Sequence, residues 1–260
     1  MTTTPQQPTR QLIKDNRLPH VGIFPNSCPP FWNSLTHAGK GFPDYYINAS
    51  FVDRRRYILS QCPTLDTLDD FVGMLLTNRV EHVVVLCNPA TEPEALAWWQ
   101  PQHYTGRPYS LRLHQSSQDG TRIVCRVDNT RNLVDDVWQF TLHLFPRWTD
   151  CGSVLPDAQQ LMQLVRRVPF PNSKSPVLVH CLMGLNRSGA FTALHHFLSC
   201  GDYTPADRDR LNQDVCQFVD CCRRGERNAF LSYQPYLNMV ADLLADHYRV
   251  TLTPKDEEPQ

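Results

Sequence analysis

The sequence predicts an α/β (α+β) fold in which a twisted mixed β-sheet is flanked by helices. Three observations lead to this prediction. Apolar, β-branched runs at residues 82–87 and 177–179 indicate buried strands, and segments of alternating polarity between them indicate further strands. Helical spacing dominates after Pro156. A chain of 260 residues, 41% of them hydrophobic, is long enough to bury one substantial core.

The predicted elements follow one another without a linker or an internal repeat. Beyond the two apolar runs, strands are expected at residues 110–115, 121–127 and 138–144. Helices are expected at residues 157–168, 205–224 and 236–248, the first of them starting at Pro156-Asp157. We therefore predict a single domain over residues 12–250. A Thr/Pro/Gln-rich segment, 1–11, should be disordered, and the acidic tail 251–260 should be frayed.

Charge and cysteine usage restrict the class of protein. A formal net charge of −1 argues against nucleic-acid binding. The ten cysteines show no Cys-x2-Cys spacing typical of zinc sites and no dense disulfide framework, so we expect free thiols in a reducing compartment. The start of the chain lacks a signal-peptide pattern, and no apolar run reaches the roughly 18 residues of a membrane span. We expect a cytoplasmic or nucleocytoplasmic protein.

One compact basic run, Arg54-Arg55-Arg56, has two interpretations. It could recognise acidic residues around a phosphorylated site, or it could be a solvated turn, which is the more common role of such a run.

The most informative segment is residues 177–189. A buried strand leads into Cys181, Arg187-Ser188 follows after five residues, and helical spacing of apolar residues begins at Phe191. A tight loop between a strand and a helix gathers backbone N–H groups at the positive end of the helix dipole. This setting favours the Cys181 thiolate, and the Arg187 guanidinium can bind two phosphate oxygens. The pattern predicts phosphoryl transfer through a cysteinyl phosphate.

Two other interpretations of Cys181 explain fewer residues. A buried core cysteine at the end of a strand would leave Arg187 and Ser188 unrelated to it. A Cys/His protease needs a histidine brought to the sulfur from elsewhere in the chain, whereas His180 is the neighbouring residue on a strand and points to the other face.

The segment His180-Cys181-x5-Arg187-Ser188 resembles the signature of the cysteine-dependent protein tyrosine phosphatases. Further segments from about Leu12 to about Tyr248 resemble the same family in order and spacing. These are a Tyr-Ile-Asn-Ala-Ser segment at 44–53, a Tyr-Ile-x-x-Gln segment at 57–63, a helix start at 67–71, a Trp-x-Asp loop at 148–150 and a late Gln loop at 232–236.

The resemblance implies a set of roles. Cys181 is the nucleophile, Asp150 the general acid and then the base, Arg187 a phosphate ligand, and Ser188 a hydrogen-bond donor to the sulfur. Backbone N–H groups bind the phosphate oxygens along Leu182, Met183, Gly184, Leu185, Asn186 and Arg187. His180 and Trp148 support the loops. The resemblance implies a phosphorylated protein as substrate and neither cofactor nor metal, and it leaves the oligomeric state open.

Several positions depart from the family pattern. Leu18 stands where an aromatic residue would stack on phosphotyrosine, and Asn186 replaces a glycine, so its side chain could crowd the phosphate. Gln234 fits the second Gln of the late loop, but Phe230 stands where the first is expected. Two hypotheses follow. One is an active tyrosine phosphatase with a weakened or shifted substrate preference. The other is a low-activity domain that binds phosphoproteins or partners.

Overall fold

The computed structural model describes residues 47–129, 137–148, 155–172 and 174–250. These residues contain seven strands: β1 Ala49–Val52, β2 Tyr57–Gln61, β3 His82–Val85, β4 Tyr109–Ser116, β5 Arg122–Asn129, β6 Val137–Leu144 and β7 Val177–Cys181. They also contain five α-helices: α1 Leu68–Thr77, α2 Ala158–Arg167, α3 Asn186–Cys200, α4 Arg208–Gly225 and α5 Gln234–Val250. Short 3-10 turns lie at Pro101–Tyr104 and Pro205–Asp207. The predicted disordered segment and tail, together with Leu18 and Asp150, fall outside the described residues.

The seven strands form one mixed sheet in the order β1-β2-β7-β3-β6-β5-β4. The four central strands, β2, β7, β3 and β6, are parallel to one another. Antiparallel pairing adds β1 at one edge and β5 and β4 at the other. The α/β prediction of a mixed sheet flanked by helices is confirmed.

Side-chain alternation along the central strands divides the interior into two cores. On β7, Val177, Val179 and Cys181 belong to the core beneath helices α2 to α5. Leu178 belongs to the opposite core, which contains helix α1 and Trp98. Both faces of the strand are therefore covered, which explains why its sequence is continuously apolar. The period of two also places Cys181 and His180 on opposite faces of the sheet.

Helix α2 begins where the sequence predicts. The Asp157 side chain accepts a hydrogen bond of 2.7 Å from the Gln160 N–H, which satisfies one of the free donors of the first turn. Arg166 and Arg167 occupy the last turn, where positive charge complements the helix dipole.

The parallel pairing of β2 with β7 separates the two ends of the sheet. Gln61 lies opposite Cys181 at one end, and Tyr57 lies opposite Val177 at the other. The exposed turn that contains Arg54–Arg56 precedes Tyr57 and is therefore remote from Cys181. This position supports the solvated-turn interpretation. None of the helices within the described ranges combines the length and the apolar character that crossing a bilayer requires.

Candidate active site

Cys181 is the last residue of β7 and is 3% exposed. Its Sγ accepts a hydrogen bond from the Gly184 N–H at 3.2 Å. The loop after Cys181 therefore turns back over the sulfur within three residues, and helix α3 begins at Asn186. A backbone N–H aimed at the sulfur stabilises negative charge on it.

The carbonyl groups of residues 182–185 all accept hydrogen bonds from neighbouring segments. The donors are the Cys62 N–H to Leu182, the Arg227 guanidinium to Met183 and Gly184, and the N–H groups of Gly189 and Leu231 to Leu185. In a trans peptide the N–H of the next residue points opposite to the carbonyl. The N–H groups of residues 183–186 are therefore directed away from these partners and toward the interior of the loop. This converging set of donors suits a tetrahedral oxyanion.

Gly184 allows the loop to lie directly on strand β2. Its φ is +69°, a left-handed conformation, and a Cβ at this position would lie 2.3 Å from the carbonyl carbon and oxygen of Ser60. No side chain fits there without displacing backbone, so the tight turn over Cys181 requires glycine.

Arg187 is held by a buried carboxylate. Its NH1 and NH2 atoms each lie 2.7 Å from an oxygen of Glu92, and NH1 also contacts the carbonyl oxygens of Leu86 and Trp148 at 2.8 Å. The two side chains are 1% and 7% exposed. A bidentate pair fixes the plane of the guanidinium. The sequence does not reveal Glu92 as a site residue, because a single glutamate in an irregular segment forms no recognisable pattern.

A second buried arginine, Arg227, holds the loop that follows Cys181. The guanidinium of Arg227 bonds to the carbonyls of Met183 and Gly184, to Ser50 Oγ and to Asn48 Oδ1. It is fully buried. The sequence does not reveal this residue either, since there it is one of three arginines at the end of a polar helix.

Trp148 anchors the chain just before Asp150. Its ring is fully buried, its Nε1 donates to the Tyr236 hydroxyl at 3.0 Å, and its carbonyl accepts from Arg187. Trp148 thus joins Arg187 to helix α5.

His180 faces away from Cys181 and lies beside two cysteines. Trp98 Nε1 donates to His180 Nε2 at 3.0 Å, and Cys87 Sγ lies 3.9 Å from Nδ1. Indole N–H is only a donor, so the proton of the neutral imidazole is on Nδ1, facing the sulfur. His180 therefore orients the end of β7 through Trp98 and does not contact the Cys181 sulfur directly in the described structure.

The ligand atoms of Cys62, Cys87 and His180 all lie within 4.8 Å of one another in the buried core. A metal ion would need the lone pair of His180 Nδ1, but the bond from Trp98 places the proton on that nitrogen. We therefore describe the group as a hydrogen-bonded pair of thiols. The hydrogen bond from Cys87 lowers the pKa of Cys62 and raises that of Cys87.

Ser188 lies in the first turn of helix α3 and is fully buried. Within the described part of the chain, its hydroxyl has no hydrogen-bond partner. The predicted hydrogen bond from Ser188 to the Cys181 sulfur is not present among the described residues, and the sulfur accepts instead from the Gly184 N–H.

Comparison with known proteins decides the family. The sequence profile described as protein-tyrosine phosphatase matches residues 13–256, which is most of the chain. The chain belongs to this family. Two solved phosphatase structures share the fold: Trypanosoma cruzi TcPTP1, with a TM-score of 0.71 and 18% identity over 95% of this chain and 88% of that one, and a structure from a study of PTPN18 and HER2 phosphorylation sites, with a TM-score of 0.72 and 16% identity over 92% and 84%.

Among curated protein-tyrosine phosphatases, human receptor-type tyrosine-protein phosphatase C is 26% identical over 206 residues, which is 75% of this chain. Tyrosine-protein phosphatase 2 of Dictyostelium discoideum is 25% identical over 158 residues, which is 59% of this chain. The matched regions span only 16% and 42% of these two relatives.

Two residues that depart from the phosphatase pattern, Asn186 and Phe230, and one that fits it, Gln234, lie within the described residues. Asn186 opens helix α3, whereas the left-handed residue of the loop is Gly184. The Asn186 Oδ1 accepts the Tyr233 N–H at 2.9 Å, so the side chain is engaged with the late loop. Gln234 begins helix α5 and bonds to Asn238 at 2.8 Å.

Phe230 is fully buried, and its ring packs edge-on against Phe218 at 6.0 Å. Because the resemblance places the first Gln of the late loop at this position, the sequence predicts that Phe230→Gln speeds breakdown of the covalent intermediate. This stays a prediction, and the burial of Phe230 adds that the glutamine amide would lie in the apolar core.

Proposed function

We propose that this domain is a cysteine-dependent phosphatase that hydrolyses phosphotyrosine in proteins through a cysteinyl-phosphate intermediate. The observation that carries the proposal is the placement of Cys181 Sγ, 3.2 Å from the Gly184 N–H, in a loop whose carbonyls are all turned outward. Such a loop binds an oxyanion on its inner side next to a nucleophile. Family membership gives the same expectation.

The first step transfers the phosphoryl group to sulfur. The Cys181 thiolate attacks phosphorus, the bond from phosphorus to the tyrosine oxygen breaks, and Asp150 gives its proton to the leaving oxygen. Backbone N–H groups from Leu182 to Arg187 and the Arg187 guanidinium bind the non-bridging oxygens. Glu92 supports this role, because its bidentate contact presents the guanidinium in one orientation.

In the second step a water attacks the phosphocysteine, Asp150 accepts its proton, and the S–P bond breaks to release inorganic phosphate. Ser188 stabilises the departing thiolate. Its buried hydroxyl, without a partner in the described part of the chain, is available to donate to the sulfur.

The test compares hydrolysis of a phosphotyrosyl peptide by the wild type, Cys181→Ser and Cys216→Ser. Cys216 is an exposed thiol on helix α4 and serves as the matched control. Turnover should be lost in Cys181→Ser and unchanged in Cys216→Ser. A wild type that binds the peptide without hydrolysing it would contradict the enzyme and support the binding-domain hypothesis.

The acid role of Asp150 has its own test. Asp150→Ala should slow phenyl phosphate hydrolysis by roughly 10² to 10⁴, the usual contribution of a general acid. Hydrolysis of p-nitrophenyl phosphate should fall less, since nitrophenolate leaves without a proton. Equal losses for both substrates would remove Asp150 from this role.

We further propose that the protein acts in the cytoplasm. The eight cysteines in the described residues are all free, which suits a reducing compartment. Imaging of the tagged full chain tests this location, and secretion into the medium would contradict it.

A further inference from the structure

We call residues 182–187, which follow Cys181, the phosphate loop; a cavity of about 650 Å³ lies at the opposite end of the sheet. It is bordered by the turn between β1 and β2, by the C-terminal end of helix α3 and by helix α4. Phe197 and Phe218 contribute apolar surface, Arg54 and Arg56 contribute positive charge, and Cys200 provides a thiol. The proposed phosphatase chemistry uses none of these residues.

Three side chains in this cavity, Cys200, His196 and Asp53, are arranged as a nucleophile, a base and a carboxylate. His196 Nδ1 lies 2.7 Å from Asp53 Oδ2, and its Nε2 lies 3.4 Å from Cys200 Sγ. A carboxylate only accepts hydrogen bonds, so Nδ1 carries the proton of the neutral ring. The lone pair of Nε2 then faces the thiol. This is the arrangement that activates cysteine and serine nucleophiles, with the carboxylate fixing the tautomer of the base.

The proton is on the sulfur in the resting state. Burial raises the pKa of the Cys200 thiol, and the nearby Asp53 carboxylate raises it further. The Cys200 thiol also donates a hydrogen bond to the His196 carbonyl oxygen at 3.0 Å. When the S–H group rotates from this carbonyl toward Nε2, which lies 3.4 Å from the sulfur, His196 removes the proton as the sulfur attacks an electrophile. Cys200 is exposed, so an electrophile can reach it.

The surrounding donors decide which electrophile fits. Acyl transfer needs free N–H groups for an oxyanion. The N–H groups of Asp53 and Arg54 already bond to the Glu226 carboxylate, at 2.9 and 3.3 Å, and the Gly201 N–H bonds to the Phe197 carbonyl at 2.8 Å. Exchange with a disulfide builds no oxyanion, because the negative charge leaves on sulfur. Three carboxylates also line the cavity, and each is engaged. Asp53 contacts His196 and Arg56, Asp214 accepts from the Tyr203 hydroxyl, and Glu226 accepts from two backbone N–H groups. The exposed Arg54 guanidinium has no ion-pair partner among the described residues, so it favours a disulfide that carries carboxylates.

We propose that Cys200 is a thiolation site, assisted by His196 and Asp53, that forms a mixed disulfide with an anionic low-molecular-weight disulfide such as oxidised glutathione. The Cys200 sulfur attacks one sulfur of the disulfide, a new S–S bond forms, and the original S–S bond breaks. The Cys200 proton passes to His196 and then to the leaving thiolate. One thiol is consumed and one is released, so no further oxidant is required.

The test treats the reduced full-length protein with oxidised glutathione and measures the rate at each cysteine by peptide mass spectrometry. Cys200 should react at least about tenfold faster than Cys216, the exposed thiol of helix α4, because general bases typically contribute 10² or more. Equal rates at Cys200 and Cys216 in the wild type would overturn the proposal, and this comparison needs no variant.

Two variants test whether His196 is the base that activates Cys200. His196→Asn keeps an N–H donor for Asp53 and removes the lone pair that faces Cys200, so the Cys200 rate should fall about tenfold or more while the Cys216 rate stays constant. His247→Asn on helix α5 is the matched control and should leave both rates unchanged. An unaltered Cys200 rate in folded His196→Asn would exclude the base.

A neutral disulfide tests whether the positive charge at the rim of the cavity attracts an anionic ligand. Hydroxyethyl disulfide should show a smaller preference for Cys200 over Cys216 than oxidised glutathione does, because it lacks carboxylates for Arg54 and Arg56. The same preference for both reagents would contradict the proposed anionic ligand.

Discussion

Single residues at the phosphate loop have separable structural roles, and Gly184 shows this most directly. Gly184→Ala should remove phosphatase turnover and lower the stability, because the left-handed backbone costs an alanine roughly 1–2 kcal/mol and the added Cβ meets the Ser60 backbone at 2.3 Å. Gly106→Ala is the control. Gly106 has a φ of +75°, and a Cβ added there would meet no heavy atom of the described residues within 4 Å, so this variant reports the backbone cost alone. Equal unfolding free energies for the two variants would refute the steric argument.

Glu92 is the second residue whose role can be isolated. Glu92→Gln keeps the shape of the side chain but leaves the buried Arg187 without its counter-charge, and breaking such a pair typically costs about 3–5 kcal/mol. Both the unfolding free energy and the kcat/KM for an aryl phosphate should fall. The exposed Glu94→Gln provides the control and should change neither quantity. Unchanged kcat/KM in Glu92→Gln would show that the pair does not position Arg187.

Some residues of the site can be predicted from a local sequence pattern, and others cannot. Cys181 and Arg187 lie in one loop, so a local pattern predicts that they act together. Glu92 lies 95 residues from Arg187 in the chain, and no local pattern connects them. For Phe230 the sequence offers only its similarity of position to a glutamine of the late loop, whereas the structure shows its ring packed against Phe218.

At the scale of secondary-structure elements, His195 connects helix α3 to the end of helix α2 and to strand β2. It lies on helix α3, its Nε2 donates to the carbonyl of Val168 after helix α2 at 3.0 Å, and its Nδ1 accepts from the Tyr57 hydroxyl of β2 at 2.9 Å. Burial lowers the pKa of His195 to about 4, from an ordinary value near 6.5. The neutral ring is thus part of the packing between these elements.

This pKa gives a prediction about stability. Between pH 6.5 and about 4 the unfolded chain binds a proton that folded His195 does not, so the unfolding free energy should fall as the pH drops through this window. The contribution is about 3 kcal/mol at a conversion of 1.36 kcal/mol per pKa unit. Urea unfolding from pH 7 to pH 4 measures it. Burial also lowers the pKa of His143, to about 3, so part of the pH dependence should remain in His195→Gln.

The exposed His114→Gln is the control and should retain the full wild-type pH dependence. The account of His195 is contradicted if His195→Gln loses stability over this range as steeply as the wild type does.

Element prediction succeeded where the periodicity was strong. The alternating strands β4 to β6 and helix α2 occur within two residues of their expected bounds. Strands β1 and β2 are buried on both faces, so they lack the alternation that predicts a strand. The helix expected at 205–224 is divided because Thr204 and Asp207 form a capping box around a 3-10 turn.

At the scale of the whole molecule, the fold brings distant segments to one end of the sheet. Strand β7 is last in sequence but lies between β2 and β3, so Cys181 is flanked by strands that precede it by about half the chain. A right-handed crossover rule limits the arrangements but does not select this order. The sequence predicted a mixed sheet, and the order within it depends on non-local pairing that no local pattern encodes.

The central claim is that Cys181 carries the phosphoryl group during turnover. The most direct measurement is rapid acid quenching of the full-length protein with a phosphotyrosyl peptide, followed by peptide mass spectrometry. We predict one phosphoryl group on the peptide that contains Cys181, absent in Cys181→Ser and retained in Cys216→Ser. Turnover of the peptide with no phosphoryl group on Cys181, or with the same labelling in Cys181→Ser, would contradict the account.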